Sequence, residues 1–444
     1  MFTITDYVRW RGDIPFSVAP FNTVDALILC ELTYFNFDNY VPGAFDAEPV
    51  TVAKACEGDV LVPLPNYCTE EDLVMQELMK SSVRFGNIPI IGFRNEIDEE
   101  RNMQFCAMTF LVDKKTNVVA FRGTDNSLVG WKENMDLAYH DVVPAQTEAV
   151  KYLKEAAAAV RGPIYVCGHS KGGNLAVYSS AFCPKKIKAR IKQVYNFDGP
   201  GFNEVVIENE HFLDITDRVK TFVPQDSLIG LLLEHKEEYN VIHSLESNGF
   251  TQHDLSTWCV TPFDIVREEK ITKSGENNRE NISEWIASMT REEKEAFVKV
   301  LYELVDDYKT TDELFSAKNL PKILKEYQSL PEENRKAVTG AVGNLKDTIL
   351  GNIKERYGEK AEEWSVRKAE EWLQKKEEKE EERAQKKEEK EEERAQKKEE
   401  KAEERAIKKE QKMERLAARK EEREYRKERK REEKERKRAV REVD

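Results

Sequence analysis

The chain predicts an α/β fold with a mostly parallel central sheet, followed by a small helical module and a long charged single helix. Three observations carry this reading. Short apolar, β-prone runs alternate with stretches of helical spacing, the pattern of a parallel sheet covered on both faces. One of those runs, Pro163 to Cys167, feeds Gly168-His169-Ser170-Lys171-Gly172-Gly173 and then the helix-compatible Asn174 to Phe182. Beyond about Ala361 nearly every residue is Lys, Arg, Glu, Gln or Ala, a composition that cannot bury a core.

Taken in order, Val24, Leu27, Ile28, Leu32 and Phe35 recur at helical spacing behind an Asn22-Thr23 start signal, which predicts an amphipathic helix. The proline-punctuated stretch 43–73 reads as irregular, and 70–85 as helical again. Gln104 to Val112 and Val118 to Phe121 are apolar runs joined by a polar turn, which predicts a hairpin delivering Phe121-Arg122-Gly123-Thr124 to a strand end. Trp131, Met135 and Ala138 mark a short helix, and Thr147 to Val160 a longer one. After the serine motif come a strand at Val194 to Phe197 and the loop Asp198-Gly199-Pro200-Gly201. Further strands follow at Val219 to Val223 and near Tyr239 to His243.

The 444 residues carry a net charge of −14; residues 371–444 contribute +3 (29 Lys+Arg against 26 Asp+Glu), leaving −17 for the rest. An acidic body disfavours nucleic acid and anionic lipid surfaces as its partners. Seven scattered cysteines without a C-x-x-C pair read as small buried hydrophobes in a reducing compartment. The charged N-terminal residues lack the apolar centre of a signal peptide, and no run approaches ~20 apolar residues. The expectation is a soluble, cytoplasmic protein without a transmembrane segment, and no cofactor or metal is implied.

Ser170 sits where a G-x-S-x-G nucleophile elbow requires it, between an apolar strand and a helix. The flanking glycines suit a strained turn, and the helix behind it points its amides and positive dipole end at a developing oxyanion. Together, Val119 to Thr124, then Trp131 and Asp136, then the serine motif, resemble the class 3 (fungal-type) lipase pattern of α/β-hydrolases. Trp10-Arg11-Gly12-Asp13 and Pro20 to Ala26, with the lysine-containing elbow, are similar to a bacterial branch of that superfamily catalogued as a domain of unknown function. The resemblance covers about residues 1–265. It implies an oxyanion hole formed by the backbone amides of Thr124 and Lys171.

A serine hydroxyl needs a base, and the base an orienting acid. The order Ser, Asp or Glu, His leaves His211, His235, His243 and His253 downstream of Ser170. His253, in a polar turn before Trp258-Cys259-Val260, is the expected base, with His243 the runner-up and His169 structural. The expected acid is Asp226, which follows an apolar strand and precedes the histidine; a helix cap is its bland reading. Lys171 departs from the apolar residue usual at that lipase position, and its side chain reads either as solvent-facing or as meeting an anionic head group. No amphipathic lid stands out between Thr124 and Ser170. The function expected is a serine hydrolase acting on a small-molecule or lipid ester. Two rivals stand beside it: a patatin-like Ser-Asp dyad using Asp198-Gly199, and a non-catalytic adaptor presenting the charged tail.

The expected boundaries are 1–265 for the hydrolase, 266–362 for the helical module and 363–444 for the tail. Residues 268–280 read as a linker. Thr290-x-x-Glu293 is a capping box, and helical patterns follow over 314–330 and 331–357. In the tail, residues 374–384 and 385–395 are identical, and 396–406 differ only at Ala402. An eleven-residue period with alanine as its one regular apolar residue favours a solitary, ion-paired helix over a coiled coil. Its basic end, from Lys412, is the candidate contact for an acidic surface or protein partner.

Overall fold

The computed structural model describes residues 1–61, 70–273 apart from 126, 138, 139, 248 and 250, and then 275–276, 279, 290, 294–295, 298–299, 302, 415 and 419–434. β-Branched and aromatic runs build one sheet whose strands lie in sequence order. They are β1 (Val50–Thr51), β2 (Pro89–Asp98), β3 (Met103–Asp113), β4 (Thr116–Phe121), β5 (Ile164–His169), β6 (Ile191–Phe197), β7 (Val219–Pro224) and β8 (Tyr239–Ile242). β1 to β4 form an antiparallel meander, and from β4 onward each strand pairs in parallel with the next. The expected α/β architecture is present, with the expected hairpin at its centre.

Alternation along the strands sends side chains to two cores. Val118 and Ala120 of β4 join one cluster, Val119 and Phe121 the other. Among the helices are α1 (Ile4–Arg11), α2 (Thr23–Glu31), the single turn α3 (Val52–Ala55), α4 (Glu70–Ser81), α5 (Leu128–Asp136), α6 (Pro144–Ala159) and α7 (Lys171–Phe182). α2 lies in the first cluster, and α6 and α7 lie in the second. α2 is buried all round, not on one face as its pattern suggests. Asn22 and Asp25 cap it reciprocally, and Asp25 in turn receives Tyr7 Oη at 3.0 Å and the Arg84 guanidinium at 2.8 and 2.5 Å.

The parallel register decides what meets at the carboxyl ends of the strands. Phe121 pairs with Gly168, His169 with Phe197, and Phe197 with Phe222. The segments after β4, β5 and β6 therefore leave the sheet side by side, where ligand sites of such sheets form.

Residues 267–272 stay packed on the sheet: Arg267 bridges Ile242, Glu268 N donates to Val241 O, and Ile271 is buried beside Val223 and Leu231. The Tyr302 hydroxyl lies 2.6 Å from both Lys132 O and Asp136 Oδ1 on α5 and can donate to either. The chain divides into two units, Met1–Glu362 and Glu363–Asp444. In the second, 419–434 is helical and exposed. Glu293 of the expected capping box, the helices expected over 314–357 and the repeats over 374–406 lie outside the described residues. Among the described residues, no helix is long and apolar enough to cross a membrane, and the six cysteines other than Cys68 are buried and free.

Candidate active site

Ser170 adopts φ 56° and ψ −133°, a positive φ that an L-residue rarely accepts, at the junction of β5 and α7. An ordinary strand-to-helix turn has no need of that strain. Its neighbours must be glycine to permit it: a Cβ on Gly168 would lie 2.0 Å from Gly172 O, and one on Gly172 would lie 2.2 Å from Phe121 O. Ser170 N donates to Phe197 O at 2.9 Å, fixing the turn to the next strand.

The Phe121-Arg122-Gly123-Thr124 segment lies directly against this turn. A Cβ on Gly123 would come within 2.8 Å of Ser170 Cβ and 2.4 Å of Tyr34 Oη, so only glycine fits. Arg122 holds the segment by donating to Asn95 Oδ1 at 2.8 Å and Asp125 Oδ2 at 3.0 Å. Thr124 follows, half-buried, its hydroxyl accepting from Asn134 Nδ2 at 2.7 Å. Lys171 is the first residue of α7, a position whose N–H has no partner within the helix. Lys171 thus follows Ser170 directly, and the residue before Thr124 packs against Ser170. The Lys171 side chain faces neither solvent nor a head group. It is buried, and its ammonium meets Glu133 Oε2 at 2.7 Å. Burial pushes its pKa down and Glu133 opposes that shift.

The carboxylate that meets His253 is Asp198, not Asp226. His253 Nδ1 lies 2.6 Å from Asp198 Oδ2, while Asp198 Oδ1 accepts from Ser227 Oγ at 2.5 Å and Gly230 N at 3.1 Å. Asp198 is fully buried and itself sits at φ 51° immediately after β6. A carboxylate oxygen accepts here, so His253 donates from Nδ1 to Asp198. Asp226 is occupied elsewhere: Gln252 Nε2 reaches its Oδ2 at 3.2 Å, and Thr272 donates to its Oδ1. Its own N–H donates to Gln252 Oε1 at 2.9 Å, so it braces the turn that carries His253 and caps no helix. His243 pairs with Glu268 at 2.6 Å, outside this cluster.

His169 is buried, and both burial and the nearby His253 hold its pKa well below the ordinary value. Neutral, it has one N–H to give. The His253 carbonyl can only accept, so His169 Nε2 donates to it at 2.9 Å and Nδ1 accepts the Tyr34 hydroxyl at 2.6 Å. The two imidazole rings lie 4.4 Å apart, which sets His253 beside the residue that precedes Ser170. Tyr34 carried no motif to mark it, whereas Asp198-Gly199 was visible in the sequence under a different role.

A family model described as Mbeg1-like matches residues 79–303. No curated protein matches the chain in sequence. Among solved structures, the chain is similar to the Rhizomucor miehei lipase propeptide complex, at 14% identity and a TM-score of 0.31, covering 49% of this chain and 66% of that one. A structure described as fungal lipases is 12% identical with a TM-score of 0.33, covering 55% and 84%. A mutant form of MDLA from Penicillium cyclopium is 12% identical with a TM-score of 0.30, covering 56% and 85%.

Proposed function

This chain belongs to the Mbeg1-like family, a lipase-like one, and from that premise we propose that it is a serine hydrolase cleaving a carboxylic ester through an acyl-enzyme. The observation that carries the reading is the 2.6 Å contact of His253 Nδ1 with Asp198, placed beside a serine held at positive φ. In the proposed reaction Ser170 Oγ attacks the ester carbonyl as His253 Nε2 takes its proton. The amides of Thr124 and Lys171 receive the oxyanion. His253 then protonates the departing alkoxide, and water hydrolyses the acyl-Ser170 ester by the same route in reverse. Lipid and phospholipid esters are within the proposed substrate class.

Asp198 engaged with a histidine disfavours the serine-aspartate dyad, in which the aspartate itself serves the serine. A fluorophosphonate probe tests the reading without knowledge of the substrate. It is expected to label the full chain at Ser170, and Ser170→Ala to abolish labelling. Labelling that persists on another serine refutes the assignment, and folded protein that never labels points to the adaptor.

A further inference from the structure

We infer that the buried Lys171 and Glu133 pair is a positioning device for the oxyanion hole, anchoring both of its backbone arms to one point. The inference rests on the hydrolase reading above. All three ammonium hydrogens of Lys171 have acceptors at 2.7 Å: Gln104 O, Gln104 Oε1 and Glu133 Oε2. Glu133 Oε2 also accepts from Gln104 N at 3.1 Å, and Oε1 accepts from Ala145 N at 2.8 Å, so the carboxylate is held from both sides. The Lys171 and Glu133 side chains are 1% and 0% exposed, so water does not share the work.

From this centre the contacts run to both arms. One arm is Lys171 itself, whose amide follows Ser170. The other is reached twice: Gln104 Nε2 donates to Gly123 O at 3.4 Å, and Asn134, the residue after Glu133 on α5, donates to the Thr124 hydroxyl at 2.7 Å. An oxyanion hole works only when its donors stand where the charge develops, and a small displacement of either amide loses much of the effect. A core that needed only filling has better options, since apolar residues of similar volume serve stability as well as a buried ion pair does. The pair makes physical sense where direction matters, because three bonds on one ammonium fix a geometry that a methyl-terminated chain does not.

The test compares the wild-type full chain with Lys171→Met/Glu133→Leu and with Glu133→Gln, using the fluorophosphonate probe, p-nitrophenyl acetate and thermal unfolding. The double variant removes both charges together but leaves Gln104 N, Gln104 O and Ala145 N without their partners, so its thermal midpoint is expected to fall, and kinetics are read well below that midpoint, where the variant is folded. Its kcat is expected to fall roughly ten- to a hundredfold, the scale of a weakened oxyanion donor. KM is expected to stay within about twofold, since the contact matters mainly in the transition state. The midpoint of the pH profile should not move, because His253 and Asp198 are untouched. A folded double variant with wild-type kcat overturns the inference and leaves the hydrolase reading standing. Wild-type protein inert to both probe and ester overturns the hydrolase reading, and the inference falls with it. If the double variant does not fold, Glu133→Gln decides in the same way: lower kcat at unchanged KM supports the inference, and unchanged kcat overturns it.

Discussion

The loops that leave β6 and β7 begin one strand apart and each presents a buried aspartate, yet they serve the histidine differently. Phe197 ends β6 opposite His169, so Asp198 emerges level with Ser170. β7 runs on past Phe222 to Pro224, still paired with β8, so Asp226 emerges farther along and toward the β8 side. There it meets Gln252 and Thr272. Asp198 touches the ring of His253; Asp226 holds the residue before it. Order along the chain was satisfied by both carboxylates, and register distinguished them.

The largest effect expected from this difference is that of Asp198→Asn. Ser227 Oγ and Gly230 N both donate to Oδ1, so the asparagine carbonyl must stay there and its amide must face His253. Facing a donor, the imidazole gives up its Nδ1 proton and carries it on Nε2, the wrong atom for a base. Loss of kcat by about 10³- to 10⁴-fold is expected, as for the same tautomer error in a Ser-His-Asp triad. Steady-state hydrolysis of p-nitrophenyl acetate measures it, and retention of more than a tenth of the activity would remove Asp198 from the triad.

A smaller effect is expected from Asp226→Asn, and it sharpens the contrast. The variant disturbs the bonds to Gln252 and Thr272 but leaves the ring partner of His253 in place, so kcat should drop by about tenfold or less. Stability should fall by about 1–2 kcal/mol for imperfectly paired buried donors. Urea unfolding and kinetics on the same sample read both; a loss matching that of Asp198→Asn would restore Asp226 as the acid.

The same distinction shows what the sequence made legible. The tight turn at Ser170 and its close approach to the Phe121 to Thr124 segment are readable because glycine requirements and apolar flanks are local properties. The contact of Asp198 with His253 is not readable there, because it depends on pairing between β6 and its neighbours, which no local pattern encodes. β2 escaped for a related reason. Its apolar start at Ile90, Ile91 and Phe93 gives way to Arg94, Asn95 and Glu96, whose polarity breaks the strand pattern. Pairing to β3 completes that strand, and Arg94 is compensated by Glu148 and Glu155 of α6. From sequence Lys171 reads as solvent-facing or as meeting an anionic head group, since lysine is rarely buried without a partner and the partner, Glu133, lies 38 positions earlier.

A third carboxyl in this neighbourhood gives the smallest effect and a contrast of its own. Glu31 of α2 is buried, and its pKa is raised well above the ordinary value, first by burial and then by Asp72 and by Asp254, the residue after His253. A group whose folded pKa is raised holds its proton after the unfolded chain has released it. The native state then binds more protons than the unfolded one, and stability falls as pH rises from about 4.5 through the folded pKa. Glu31→Gln keeps the shape and removes that proton exchange. The variant should therefore match wild type near pH 4.5 and exceed it at pH 8, by a few degrees in thermal midpoint, about what 1 kcal/mol yields in a domain of this size. Midpoints recorded from pH 4.5 to 8 test this: a gap that widens toward alkaline pH supports a protonated Glu31, and a gap that is constant or reversed shows that Glu31 is charged in the folded protein. The outcome bears on the comparison directly. Asp198 is met by donors, from Ser227, Gly230 and His253, whereas Glu31 faces other carboxyls, and its burial holds it as an acid.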